Sequence, residues 1–259
     1  MATFDVNDVS EIGLDQYLSL VNAITPVDKV LLRERALTTI RYYKGDDEAR
    51  KQLRLHQTLE DAWYASLKAG KPDYSIYASE HFLTEAWACW VVYSRKYIRA
   101  MQKLHLENVN RVVDLGCGIG YSTAALKSMF YKASVVGTQV KGPQFQVAEA
   151  IGRLYTFLVV ENVVDRADLI FASEYFEHFQ RPVEHLEDVL AETEDPRYLV
   201  IANSFGSTSI GHFNVYLHEN KSYMNYQIGR VFNDVLRARG YEQVVTPFWN
   251  NRPNVWRKK

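Results

Sequence analysis

The chain predicts an α/β fold: a seven-stranded, mainly parallel sheet with helices on both faces, a terminal antiparallel hairpin and an N-terminal helical region. Three observations carry this. After Asn110, short β-branched runs alternate with helical runs, the pattern of parallel strands joined by crossover helices. Val112 and Val113 lead through Asp114 and Leu115 into Gly116, Gly118 and Gly120, and then into a helical run over 122–129, which makes a strand, a turn and a helix. The chain closes with strand-like runs at 242–248 and 254–257, joined by so short a turn, containing Asn250, Asn251 and Pro253, that the two must be antiparallel.

Taken in order, the first hundred or so residues read as helices. Thr25, Pro26, Val27 and Asp28 have the form of an N-cap, a proline at the first helical position and an acid in the first turn. A second helix is expected over 47–69, stopped by Gly70 with Pro72 just beyond. A third, over 79–104, carries Phe82, Leu83, Trp87 and Trp90, dense enough to be buried against the rest of the protein. Strands follow at 111–115, 133–138, 156–160, 168–172 and 197–202. The expected division is a helical region over 1–108 and an α/β domain over 109–259.

Bulk properties narrow the function. With 30 Lys and Arg against 31 Asp and Glu, the net charge is −1, so there is no global footprint for nucleic acid or an anionic membrane. The one local cationic cluster, 252–259, reads as a solvated tail. Two cysteines, Cys89 and Cys117, in no C-x-x-C pair, argue against a disulfide or zinc framework. No apolar run is long enough to span a bilayer, and the start lacks the features of a secretion signal, so a cytoplasmic protein without a membrane partner is expected.

The glycine turn gives chemistry. Glycines at 116, 118 and 120 let the backbone take positive φ and approach a ligand closely, and the spacing G-x-G-x-G differs from the G-x-G-x-x-G of a dinucleotide site. The run from Val112 to Gly120 resembles the first motif of the class I, Rossmann-like S-adenosylmethionine-dependent methyltransferases, and the resemblance covers about Asn110 to the C-terminus. It implies S-adenosyl-L-methionine as cofactor, with Asp114, Gly116, Cys117, Gly118 and Gly120 around its ribose and methionine parts. At the end of the second strand the family usually has an acid for the ribose hydroxyls; Gln139 stands here, a departure that removes charge assistance from that bond. Glu161 and Asn162 fall where the family reads the adenine. Ser173 and Glu174 fall where it touches the methionine moiety.

The segment Glu174-Tyr175-Phe176-Glu177-His178 resembles the family's fourth motif and supplies catalytic candidates Glu177 and His178. Its E-x-x-E-H pattern also resembles the metal site of small-RNA 2′-O-methyltransferases, because positions 174, 177 and 178 would share one face of a helix, with His212 or His218 completing the set. The packing reading is preferred, and no metal is assigned. The Gly- and Ser-rich stretch 203–218 is expected to form a rim carrying His212, which reads either as a general base or as a structural histidine. Tyr74, Tyr77 and Tyr175 are candidates to roof the site.

The resemblance therefore implies in-line methyl transfer to a small polar molecule or nucleotide-type acceptor, with the N-terminal helices as a lid that sets acceptor specificity. Nucleic-acid and protein acceptors stay open, as do a binding or assembly protein on the same fold and a transfer of a group other than methyl. Aromatic surface on the helical region is compatible with a homodimer.

Overall fold

The computed structural model describes residues 11–162, 165–206, 209–246, 248 and 252–259. Val112, Val113 and their neighbours form β1 (Arg111–Leu115), which pairs in parallel with β2 (Ser134–Thr138) on one side and β4 (Leu169–Ser173) on the other. β3 (Leu158–Val160) extends the sheet beyond β2, and β5 (Tyr198–Ala202) extends it beyond β4. β9 (Asn254–Lys258) is antiparallel to β5, and β8 (Tyr241–Val244) is antiparallel to β9, giving the order β3-β2-β1-β4-β5-β9-β8. The sequence order reverses between β1 and β4. In such sheets the crevice beyond the carboxyl ends at that point is where ligands bind.

Period-two alternation assigns the two faces. Val112, Leu169, Val200 and Val255 point into one core, and Val113, Ile170, Leu199 and Trp256 into the other. The first core is covered by α7 (Tyr121–Met129) and α8 (Pro143–Tyr155), together with α1 (Glu11–Ile24), α2 (Lys29–Tyr43), α5 (His81–Cys89) and α6 (Arg95–Met101). The second is covered by α9 (Pro182–Glu192), α10 (Asn225–Ala238) and Trp63 of α4 (Arg54–Lys68). Leu14, Tyr17 and Leu32 of the N-terminal helices belong to the same core as Val135 and Ile151, so these helices are packed into the sheet layer.

Several expected boundaries move, each for a local reason. The cap of α2 is Asp28, not Thr25: the Asp28 carboxylate accepts from the amides of Val30 at 3.0 Å and Leu31 at 3.1 Å, while Thr25 still donates to Val21 and closes α1. The expected helix over 47–69 is broken at Leu53, whose backbone leaves the helical region at ψ 56 and whose side chain is buried; α3 (Asp47–Gln52) precedes the break and α4 follows it. The expected helix over 79–104 begins at His81, after a 3₁₀ turn at Tyr74–Ala78, and ends at Met101. Between α5 and α6 it contains a π-helical turn, Trp90–Ser94, a feature that recurs at functional sites.

The stretch 203–218 is not all loop. It ends in β6 (Val215–His218), which forms a separate two-stranded hairpin with β7 (Lys221–Met224) and leads into α10. β8 stops at Val244, short of the expected 248, and Asn250 and Asn251 lie outside the described residues. No helix among the described residues is long and apolar enough to cross a membrane.

Candidate functional site

A cavity of about 950 Å³ opens at the carboxyl ends of β1, β2, β4 and β5, roofed by residues of α2 and α5 and by the 3₁₀ and π-helical turns on either side of α5. At its β1–β2 end lies the glycine turn. Gly116 and Gly118 have φ of +63° and +56°, a region L-residues rarely enter. A Cβ at Gly116 would lie 2.5 Å from the Tyr175 ring, so the ring packs on bare backbone. Above Gly118 there is room, the nearest neighbour of such a Cβ being Ala86 Cβ at 3.8 Å. The residues therefore fit a close-lying cofactor at Gly118, where backbone faces open space, while the Tyr175 ring covers Gly116.

Asp114 holds this turn to the helix after it. Its buried carboxylate accepts from Ser122 Oγ at 2.6 Å and Thr123 Oγ1 at 2.7 Å, and burial pushes its pKa up to about 7 against those two bonds, which pull it down. Cys117, also buried, packs against Gly137, where a Cβ would lie 2.8 Å from its sulfur. Gln139 uses its amide to brace the same turn. Its Nε2 donates to Gly118 O at 3.3 Å and to Gln144 Oε1 at 3.0 Å, while its Oε1 accepts from Val140 N at 2.9 Å.

Of the expected cofactor residues, Asp114, Gly116, Cys117, Gly118, Gln139, Ser173 and Glu174 line the cavity. Gly120 lies behind it, at φ +89° and close to Ala148 of α8, where it begins α7. Glu161 and Asn162 are exposed at the end of β3 and do not line the cavity; Glu161 pairs with Lys141 at 2.8 Å.

The β4–β5 end of the cavity is assembled differently. His178 Nδ1 lies 2.8 Å from the Tyr77 hydroxyl, and its ring meets His212 edge-on at 4.9 Å between centroids. Burial first, and the neighbouring His212 second, lower the His178 pKa to about 3, so it is neutral throughout the physiological range. His212 is itself buried and its carbonyl accepts from Trp63 Nε1 at 2.7 Å. Gly211 makes this grouping feasible: at φ +83°, any Cβ would land on the Tyr77 hydroxyl and on His178 Nδ1. Tyr77, His178 and His212 all line the cavity.

Glu177 is fully buried and outside the cavity lining, where its Oε1 accepts from Ser204 N at 2.8 Å and so fixes the start of the rim. Burial and the nearby Glu174 hold its carboxyl well above the usual range. Glu174 sits at a left-handed φ of +52° before a short 3₁₀ turn, Phe176–His178, so positions 174, 177 and 178 do not share a helical face as the metal reading required. Among the described residues, no group of three or more His, Cys, Asp or Glu is arranged to hold a metal ion.

Sequence reasoning missed one group outright. Arg252, read as part of a solvated tail, lines the cavity and pairs with Glu174. Tyr97 donates to the same carboxylate at 3.1 Å and Ser204 at 2.5 Å. Ser94 of the π-helical turn meets Ser173 at 3.0 Å, tying the roof to β4. Nothing in the local sequence of Arg252 marks it, because its partners lie 78 and 48 positions away.

The sequence pattern of the family described as "Methyltransferase domain" matches residues 80–246. Two curated relatives from Escherichia coli strains, both named trans-aconitate 2-methyltransferase, are 37% and 34% identical over 86 residues, which is 31% of this chain and 33% of theirs. The chain thus spans about a third of the length of the curated relatives it matches. Among solved structures, the mitomycin 7-O-methyltransferase MmcR superposes over 82% of this chain and 71% of its own, with a TM-score of 0.55 at 14% identity, a likeness of fold.

Proposed function

The chain belongs to the methyltransferase-domain family, and from that premise we propose that it is an S-adenosylmethionine-dependent enzyme that methylates a small polar molecule held in the cavity between the glycine turn and the His178–His212 pair. One observation carries the reading. One cavity of about 950 Å³, at the upper end of the 300–1,000 Å³ common for ligand pockets, joins the glycine turn to two buried imidazoles, of which His178 is held neutral. That is space for a cofactor and a second small molecule together, and its walls are rich in aromatic residues.

The cofactor supplies an already activated methyl group. The chain's own tasks are to hold the acceptor in line, exclude water and take a proton. Gly116, Gly118, Gln139 and Asp114 hold the cofactor side, with Ser173 and Glu174 at its methionine end. For an acceptor hydroxyl, His212 is the base; His178, kept neutral and fixed by Tyr77, positions it without opposing the charge that His212 gains. Glu177 acts by pinning Ser204. The N-terminal helices that roof the cavity set which acceptor fits.

The test is turnover. Purified protein with S-adenosylmethionine and a panel of small hydroxylated acids, together with trans-aconitate, the acceptor named for the Escherichia coli relatives, is followed by mass spectrometry for a methylated product and S-adenosylhomocysteine. The reading expects both in equal amounts from at least one hydroxyl-bearing member, and a fall in rate of about 10²–10⁴-fold in His212→Ala. If S-adenosylhomocysteine never rises above the acceptor-free rate, or if His212→Ala turns over as fast as the wild type, the reading fails.

A further inference from the structure

Of the two Lys and Arg residues that line the cavity, Arg252 is the one tied to other lining residues. The other lining cation, Lys141, is 73% exposed and tied outward to Glu161. Arg252 enters from the residue pair before β9, and its Nη2 donates both to the Glu174 carboxylate and to Ser204 Oγ. Its guanidinium carbon lies 5.7 Å from the centre of the Tyr97 ring, which fixes the plane of the group.

The fork is only partly used. An arginine carries five N–H donors, and both contacts above come from one nitrogen. Nε is buried and has no hydrogen-bond partner among the described residues. A buried donor left without an acceptor is costly, more so on a charged group. Glu174, for its part, does not depend on Arg252 alone, because the Tyr97 and Ser204 hydroxyls also donate to it. The guanidinium can therefore accept a second anionic partner without stripping the first of its support.

Position says whose partner that is. Ser204 follows β5 and Arg252 precedes β9, so both stand on the far side of β4 from the glycine turn after β1. That is the half of the crevice away from Gly116 and Gln139. We propose that Arg252 is the specificity determinant for a carboxylate carried by the acceptor, with the flat body of the acceptor lying against the Tyr93 ring, which lines the same cavity. A planar carboxylate offers only acceptor atoms and matches the guanidinium fork, which an amine cannot do and a hydroxyl does more weakly. This rests on the reading of the cavity as a methyltransferase site and adds the chemical class of what it methylates.

Three probes that share a phenol and differ in the charge of the side chain test it: 4-hydroxyphenylacetate, tyramine and 4-hydroxyphenethyl alcohol, each titrated calorimetrically into the protein saturated with S-adenosylhomocysteine. The carboxylate is expected to bind at least about tenfold more tightly than the other two, the scale of one charge-assisted hydrogen bond. In Arg252→Gln that advantage disappears, and in Arg252→Lys, which keeps the charge and loses the fork, it shrinks. S-adenosylhomocysteine affinity should stay within about twofold in both variants, which also shows that they are folded. Equal binding of the three probes, no binding of the carboxylate at millimolar concentration, or an advantage that survives Arg252→Gln overturns the assignment. So does a tenfold loss of S-adenosylhomocysteine affinity in Arg252→Gln, which would make Arg252 an anchor for the cofactor's own carboxylate. Failure of S-adenosylhomocysteine to bind the wild type is the separate result that would undo the methyltransferase reading itself.

Discussion

The two ends of the cavity are built by opposite means. At the β1–β2 end, the hydrogen bonds that shape the glycine turn stay within one strand-helix-strand unit: Asp114 to Ser122 and Thr123, Gln139 to Gly118 across 21 positions and Thr138 to Gly116 across 22. At the β4–β5 end, Tyr77 meets His178 across 101 positions, Trp63 meets His212 across 149, and Arg252 meets Glu174 across 78. One unit, β1 through α7 to β2 and Gln139, makes most of the first end, with Tyr175 closing over Gly116. The second exists only after α4, the 3₁₀ turn before α5, the rim after β5 and the start of β9 have all docked. Perturbations should accordingly act on the first end through backbone conformation and on the second through assembled side chains.

The sharpest way to break the first end is Gly116→Val. A side chain there must adopt φ +63°, at about 1–2 kcal/mol, and must displace the Tyr175 ring, so S-adenosylhomocysteine affinity should fall by 100-fold or more in calorimetric titration. The matching change at the other end is Gly211→Ala, whose methyl collides with Tyr77 and His178. It should lower turnover by about 10²-fold, the low end for loss of a proton-transfer group, while cofactor affinity changes less than about twofold. If both substitutions weakened the cofactor equally, the two ends would not be separable.

The same contrast explains what the sequence disclosed. Val112–Gly120 was readable because its chemistry is local: β-branched residues, an acid and alternate glycines have meaning without knowledge of the fold. Strand identities followed from β-branched runs; the terminal antiparallel pair was expected from a short turn, whereas residues 245–253 join its strands. Gln139 was found because it ends a recognisable strand. His178 and His212 were named as candidates, but their contact, and the roles of Tyr77 and Gly211 in making it, depend on docking between distant segments. Arg252 was misread for the same reason: a cationic tail and a cavity-lining arginine have identical local sequence. The helix cap at Asp28 and the break at Leu53 were missed at a finer scale, because a capping carboxylate can act from several nearby positions and a buried leucine can end a helix without glycine or proline.

Proton linkage gives a gentler test, and the two ends should respond with opposite sign. His178 titrates near 3 when folded and near 6.5 when unfolded, so the unfolded chain holds the extra proton between those values and folding loses stability as pH falls through that window. Asp114 titrates near 7 when folded and near 3.8 when unfolded, so there the folded chain holds the extra proton and stability is lost as pH rises from about 4 to 7. In urea unfolding at a series of pH values, the stability of wild type relative to His178→Gln should therefore decline on acidification, and that relative to Asp114→Asn should decline on alkalinisation. Each slope is at most about 1.4 kcal/mol per pH unit. Parallel slopes would show that one of the two groups is not buried in the charge state described.

The smallest effect is expected from Gln139→Glu. A carboxylate adds charge assistance to a ribose hydroxyl, but it loses the donor that braces Gly118 O and Gln144. The gain in cofactor affinity should stay below about tenfold by calorimetry. An unchanged or reduced affinity would remove Gln139 from the ribose position.

The claim on which both ends depend is that one cavity holds an adenosyl cofactor against the Gly116–Gly120 turn with its sulfur facing the acceptor half. A crystal structure with S-adenosylhomocysteine tests this directly. The account predicts density for the methionine part along Gly116 and Gly118, with the sulfur directed toward His178, His212 and Glu174. Density for the ligand elsewhere, or a turn that stays closed at saturating ligand, would contradict it.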